Sequence, residues 1–464
     1  MSYLVVLAIA GFALAWTRLN RVLTHDIFSP FNVLLFSWVV PLCMVGLNSS
    51  MYQRPWSWAV YLALLWTTAC LAGISILAGT LVSHAWSSPH RTRLFVQDLQ
   101  VFSRPTTKGV LLVAFAVAFG AMVYSEFVTN PHGVPLFSVI RGDGTTLGLA
   151  HRWGKDTRWM IVAPLLFVLS PMLLATSRLS RRGLQRWLFL CLAFAYPLAG
   201  LLKLSRSDLF IGVLNLIVFE YYFRQAARSG RGTGPWRVHR YILLAGVGFA
   251  AFSLTLMLRL GGERAFDLYA DAVGFKPQGG NILVGTFVQL YGYAALPFEN
   301  LARILMDYRG GTNLGISSLR PLLSITGNGR LADAIQEKAQ IPEPISQAAG
   351  SSTFLGMIFV EMGWVGVGLV PLAYALLVNG AYVLFRRRPG TTSLFLYINW
   401  VYPWAWLFFN NAFSALTFYL NALFVIGLFV LLEVTGARRR WRVAAPSPHN
   451  GAGSLATSRG KVAE

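Results

Sequence analysis

The chain has 464 residues, of which 55% are apolar and only 12% charged, with a mean hydropathy of +0.55; soluble proteins carry about 25% charged residues. The net charge of +21 would point to nucleic acid in a soluble protein. Here the Arg and Lys residues sit between apolar runs, as anionic headgroups and insertion topology require, and no basic stripe with interleaved aromatics marks a polar domain, so nucleic acid is excluded as a partner. The apolar runs are unbroken for about twenty residues, which excludes a β-barrel, whose strands alternate in segments of about ten.

Eleven such runs predict an all-α polytopic membrane protein: Ser2–Trp16, Phe31–Asn48, Ser57–Val82, Gly109–Thr129, Trp159–Thr176, Trp187–Lys203, Asp208–Phe223, Tyr241–Arg259, Thr353–Phe385, Thr392–Asn411 and Ser414–Val434. The first has no basic residues ahead of it and is followed by Arg18 and Arg21, so it reads as a retained span with its N-terminus outside. Eight spans then fill residues 1–259, a large external loop covers 260–352, three spans cover 353–434, and 435–464 form a disordered basic cytoplasmic tail.

Loop charges support this orientation. The segments assigned to the cytoplasm hold 24 Arg and Lys residues, and the short external loops hold seven. The acids invert the pattern: 13 of 18 fall outside, so any chemistry belongs on the external side.

Within the large loop, Asn281 to Arg309 is amphipathic at helical spacing, with Glu299, Arg303 and Asp307 stepping four apart along one face. Flat helices on the outer surface are expected there. The 33 residues from Thr353 to Phe385 exceed one perpendicular crossing, and Glu361 and Gly363 lie a quarter of the way in, predicting a half-helix that comes in from outside and bends. Cys43, Cys70 and Cys191 lie in apolar runs as packing residues, without a disulfide framework.

Three places could carry chemistry. In LLKLSRSDLF, Arg206 and Asp208 stand in a tight external connection. They read either as a mutual pair capping the next helix or as an anion clamp, because guanidinium forms a planar fork that suits phosphate oxygens. MLRLGGERAFDLYADAVG brings Arg259 and Arg264 to the same side, as snorkelling and solvated side chains or as further clamp residues. Glu361 is a lone carboxylate within an apolar run, and such acids are rare and usually functional. His spacing fits no metal site, and no nucleotide-binding loop is present, so neither metal nor cofactor is expected.

The SRSD connection, the single large late loop, the aromatic stretch Tyr291 to Asn300 and the segment TFLGMIFVEMGWVGVGLVP together resemble the Wzy-type O-antigen polymerases, the oligosaccharide repeat unit polymerase family. The resemblance runs from Lys203 to Leu384. Glu361 stands where that family usually has Asp, and Met362 replaces an aromatic before Gly363. The resemblance implies a glycosyltransferase of the bacterial inner membrane. It would transfer an undecaprenyl-pyrophosphate-linked glycan at the periplasmic face onto another lipid-linked repeat unit, with a chain-length regulator as an open further partner. Arg206 and Arg264, with Arg259, would bind the pyrophosphate, and Glu361 would orient or deprotonate the acceptor. Tyr291, Tyr293, Arg303 and Asp208 would contact substrate. An O-antigen ligase is the near alternative, although the loop 260–352 lacks the histidine base expected there. A flippase for lipid-linked sugars should show mid-bilayer charges on several helices and internal symmetry, which this sequence lacks. A structural assembly partner is the remaining reading.

Overall fold

A computed structural model describes residues 11, 26–82, 95–128, 134–140, 162–181, 183–203, 205–228, 269–271, 274–275, 282–312, 351–410, 412 and 416–434. Among them there is no strand, only an isolated bridge between Ser50 and Phe275. The helices are α1 (Pro30–Val45), α2 (Trp58–Val82), α3 (Pro105–Val123), α4 (Pro135–Ile140), α5 (Leu165–Leu179), α6 (Gly183–Ala193), α7 (Ala195–Leu202), α8 (Arg206–Arg228), α9 (Ile282–Asp307), α10 (Phe354–Arg387), α11 (Thr391–Ala405) and α12 (Leu416–Val434).

Three of these, α2, α3 and α10, are long and apolar enough to cross a membrane, and the bent pair α6 and α7 makes a fourth. Their outward faces are apolar too: Trp58, Leu62, Val113, Val117, Leu369 and Leu376 are all exposed. A helix that is apolar all round belongs in lipid or in a large core. Nine of the eleven predicted runs coincide with a helix. The runs Ser2–Trp16 and Tyr241–Arg259 lie outside the described residues.

Polar contacts sort the chain into two ends. At one end Asp26, Tyr222, Tyr382 and Arg386 meet, Thr391 donates its amide to Asp98 Oδ2 at 2.7 Å, and Arg178 pairs with Glu220 at 2.9 Å. At the other, Ser49, Gln53 and Trp56 meet Tyr291 and Glu299, and Lys203 pairs with Asp208. Arg178 and Arg386 therefore share the Asp26 end.

Asp26 is 3% exposed and ties three helices together. Its carboxylate accepts from Tyr222 Oη at 3.0 and 3.1 Å, Tyr382 Oη at 2.7 Å, Arg386 Nη1 at 3.2 Å and the Phe28 amide at 3.2 Å. An ionised group buried without such partners is strongly unfavourable.

The bend expected between Thr353 and Phe385 is a full reversal. Gly363, at φ 61° and ψ −149°, interrupts α10 in a region that essentially only glycine occupies. In a straight helix residues twenty apart are about 30 Å apart, yet the rings of Phe354 and Tyr374 lie 6.0 Å apart. The chain doubles back. A short arm, 354–362, starts inside the bundle with Phe354 against Trp38, climbs to the Glu299 end and turns, and the long arm descends. The arms touch where Gly366 meets Ile358; a Cβ there would stand 2.7 Å from Ile358 Cγ2.

Nor is α9 a surface helix. Through Ala294–Ala302 every residue is buried, and Phe298 reaches Trp38 at 5.1 Å. It is a wedge between α1, α2 and the short arm, with Thr353 donating its amide to Pro297 O.

Removing one partner of a buried ion pair typically costs about 3–5 kcal/mol. Asp26→Ala and Arg386→Ala should each lower the thermal midpoint of the purified protein in detergent sharply, and the double variant should lose less than the two losses added.

Candidate functional site

The Glu299 end collects most of the residues singled out by sequence. Its anchor is Glu299, 3% exposed, whose carboxylate accepts from Gln53 Nε2 at 3.3 Å and Trp56 Nε1 at 3.1 Å. Gln53 also donates to Val45 O at 2.7 Å, and its Oε1 accepts from Tyr291 Oη at 2.6 Å. Burial pushes the Glu299 carboxyl above its ordinary value, and the bonds from Trp56, Gln53 and the Arg54 backbone, with the Arg303 charge, oppose that rise. The network fastens the wedge to the loop after α1, so Glu299 is a structural acid.

Tyr291 is corrected by the same network. It is fully buried, its ring lies among Phe275 and Phe287, and its hydroxyl is engaged by Gln53 and the Ser49 amide. It offers no ring face to a sugar. Tyr293, half-buried, stacks near-parallel with Phe409 at 5.4 Å and Tyr269 at 6.4 Å, in an aromatic ladder reaching from α9 to the end of α11.

Glu361 sits in the last turn of the short arm, two residues before the reversal, and is 3% exposed. Around it Tyr308 meets Phe359 at 6.2 Å, and the Thr312 methyl lies 3.3 Å from where a Gly363 Cβ would stand. The end of α9 thus runs beside the short arm up to its tip. Trp364 and Val365, just past the tip, are exposed. At the base of the same arm Asn300 Nδ2 donates to Ser351 O at 2.8 Å. There the fully buried Thr353 Oγ1 and the Arg303 Nε have no hydrogen-bond partner among the described residues.

The connection before α8 folds around Ser205, whose Oγ accepts the Asp208 amide at 3.4 Å, a first-turn cap. Asp208 pairs with Lys203 at 3.0 Å. Arg206 is the first residue of α8; its side chain, with Arg259 and Arg264, lies outside the described residues. The structure therefore brings Glu361, Arg303, Tyr291 and Tyr293 to the end where Arg206 and Asp208 also stand. Sequence reasoning missed Gln53 and Trp56, because nothing local links residue 53 to a carboxylate 246 positions away. Lys203 was findable: it stands five residues before Asp208, across a turn too short to part them.

Chemically, a carboxylate beside an exposed helix turn can take a proton from a hydroxyl. No group of three His, Cys, Asp or Glu side chains that could hold a metal occurs among the described residues. No known protein family, curated protein or solved structure matches the chain.

The Glu299 carboxyl gives a pH signature. Its folded-state value is raised above the ordinary 4.5, so the folded state binds more protons than the unfolded one just above that pH. Stability contributed by this group is full below 4.5 and declines as pH rises through the raised value. Thermal midpoints measured from pH 4 to 8 should fall more steeply for the wild type than for Glu299→Gln; equal slopes would contradict the assignment.

Proposed function

We propose that the chain is a membrane glycosyltransferase that polymerises undecaprenyl-pyrophosphate-linked oligosaccharide repeat units at the periplasmic face of the bacterial inner membrane. The reading places eleven spans, an external N-terminus and a cytoplasmic C-terminus. The basic clusters gathered at the Asp26 end support it, since that end would face the cytoplasm. The observation that carries the proposal is Glu361, a buried carboxylate at the tip of a glycine-turned helical hairpin.

In this mechanism the acceptor sugar hydroxyl gives its proton to Glu361 and attacks the anomeric carbon of the donor. The bond from that carbon to the phosphate oxygen breaks, and undecaprenyl pyrophosphate leaves. No nucleotide sugar exists outside the cell, so the lipid diphosphate is the activated group. Negative charge growing on its oxygens is met by Arg206 and Arg264, with Arg259 beside them; removing one such donor costs on the order of a hundredfold in rate. The Lys203–Asp208 pair ties down the start of α8, the helix that begins with Arg206. Tyr293 and Arg303 contribute the sugar contacts, and Tyr291 drops from that role.

The test is the surface polysaccharide of a deletion strain. Lipid core capped by a single repeat unit is the expected result. Long undecaprenyl-linked chains outside would instead mark a ligase, and single units trapped inside a flippase. In complementation, Glu361→Gln should reduce polymer about a hundredfold or more, and Arg206→Ala and Arg264→Ala should do likewise, with insertion verified by membrane fractionation. Wild-type polymer from all three variants would refute the mechanism.

A further inference from the structure

Arginines at the Asp26 end fall into two groups. Arg178 and Arg224 both pair with Glu220, and Arg386 pairs with Asp26. Arg181 and Arg186, by contrast, are exposed and meet no acid among the described residues. Both belong to the start of α6, which Ser177 Oγ ties to the end of α5 by donating to Arg186 O at 2.8 Å. The first turn of α3 stands beside it: the Lys108 ammonium donates to Gln185 Oε1 at 3.2 Å and lies 6.0 Å from the centre of the Phe189 ring. The residue that Lys108 reaches is the immediate neighbour of Arg186, so cations from two helices stand at one junction. Neither helix carries an acid in its first turn.

Next to these cations the surface is aromatic and apolar. On α6, Leu184, Trp187 and Leu188 are 86%, 65% and 48% exposed. On α3, Leu112 follows Lys108 by one turn, and it is exposed together with Val113 and Val117. Cations at the helix starts, an indole beside them and aliphatic side chains continuing along both helices match the polarity of a phospholipid, from phosphate through glycerol to acyl chain.

Guanidinium groups suit phosphate oxygens, indoles sit at headgroup level, and basic pockets between membrane helices hold anionic headgroups. A soluble acidic partner would satisfy the charge but leave the leucines uncovered, so charge and apolar surface together favour a lipid. We propose that the junction of α3 and α6 binds an anionic phospholipid. Arg186 and Lys108, with Arg181 beside them, hold its phosphate, and its acyl chains lie along Leu112, Val113 and Leu188. The site is separate from the Glu361 end and independent of the glycosyl-transfer reading.

The full-length protein in detergent micelles, unfolded by heat with increasing phosphatidylglycerol or phosphatidylcholine at constant ionic strength, tests this directly. The midpoint should rise saturably with phosphatidylglycerol and not with phosphatidylcholine, because a ligand that binds only the folded state stabilises it by mass action. Arg186→Gln and Lys108→Gln should each raise the half-saturating lipid concentration about fivefold, the contribution of one basic residue near an anionic surface. Arg388→Gln, which removes the same charge from the exposed cap of α10, should leave it unchanged. Arg186→Gln alone decides if Lys108→Gln does not accumulate, since it removes only an exposed side chain. Equal midpoints in the two lipids, a rise of the same size with soluble glycerol phosphate, or a half-saturation that Arg186→Gln shifts no more than Arg388→Gln does would overturn the proposal.

Discussion

Burying charge in an apolar bundle is tolerable only where enough donors converge on it, and that requirement organises both ends of this protein. Asp26 needs two tyrosines, an arginine and a backbone amide, contributed by helices far apart in the chain, so satisfying one carboxylate fixes the mutual positions of α8, α10 and the start of α1. Glu299 does the same at the opposite end with Gln53 and Trp56. The helices between carry faces that are nearly uniform in hydrophobicity, and such faces tolerate rotation and sliding. Polar ties at the two ends supply the register that apolar packing leaves loose.

The hairpin in α10 follows from the same physics at the level of the backbone. A chain that reverses inside a bundle must keep its amides bonded, and it does so by staying helical on both sides of one glycine. Gly363 supplies the dihedrals and Gly366 the close approach to Ile358. The wedge helix α9 then covers the short arm, accepting the Thr353 amide at Pro297 and bonding Ser351 through Asn300. Glu361 is thereby held by secondary structure on both sides rather than on a free loop, which is the setting a positioned carboxylate needs.

Much of this was legible in the sequence. The apolar runs predict the helices, because membrane-type segments announce themselves by length and composition. Glu361 with Gly363 predicts a break in the right place. That the break is a full reversal was not legible: a bent helix and a reversed one have the same residues in the same order. Only the contacts of Phe354 with Trp38 and Tyr374 decide between them. The amphipathic pattern of 281–309 suggested a surface helix, but its apolar face is wider than the pattern implied, and Tyr291, Ala295, Phe298 and Leu301 spread burial around the axis. Asp26 went unremarked because its partners lie 196 to 360 residues away, beyond any local signal. Of the arginines proposed for the clamp, Arg206 is placed only by its backbone.

The long separation between Asp26 and its partners bears on biogenesis. Trp404 Nε1 closes onto Pro30 O, and Tyr382 onto Asp26, across 374 and 356 residues. At about 5–20 residues per second, the ribosome needs roughly 20 to 70 seconds to deliver those partners after the aspartate has emerged. During that interval Asp26 lacks the donors of Tyr382 and Arg386, so late helices are the ones that lock the first.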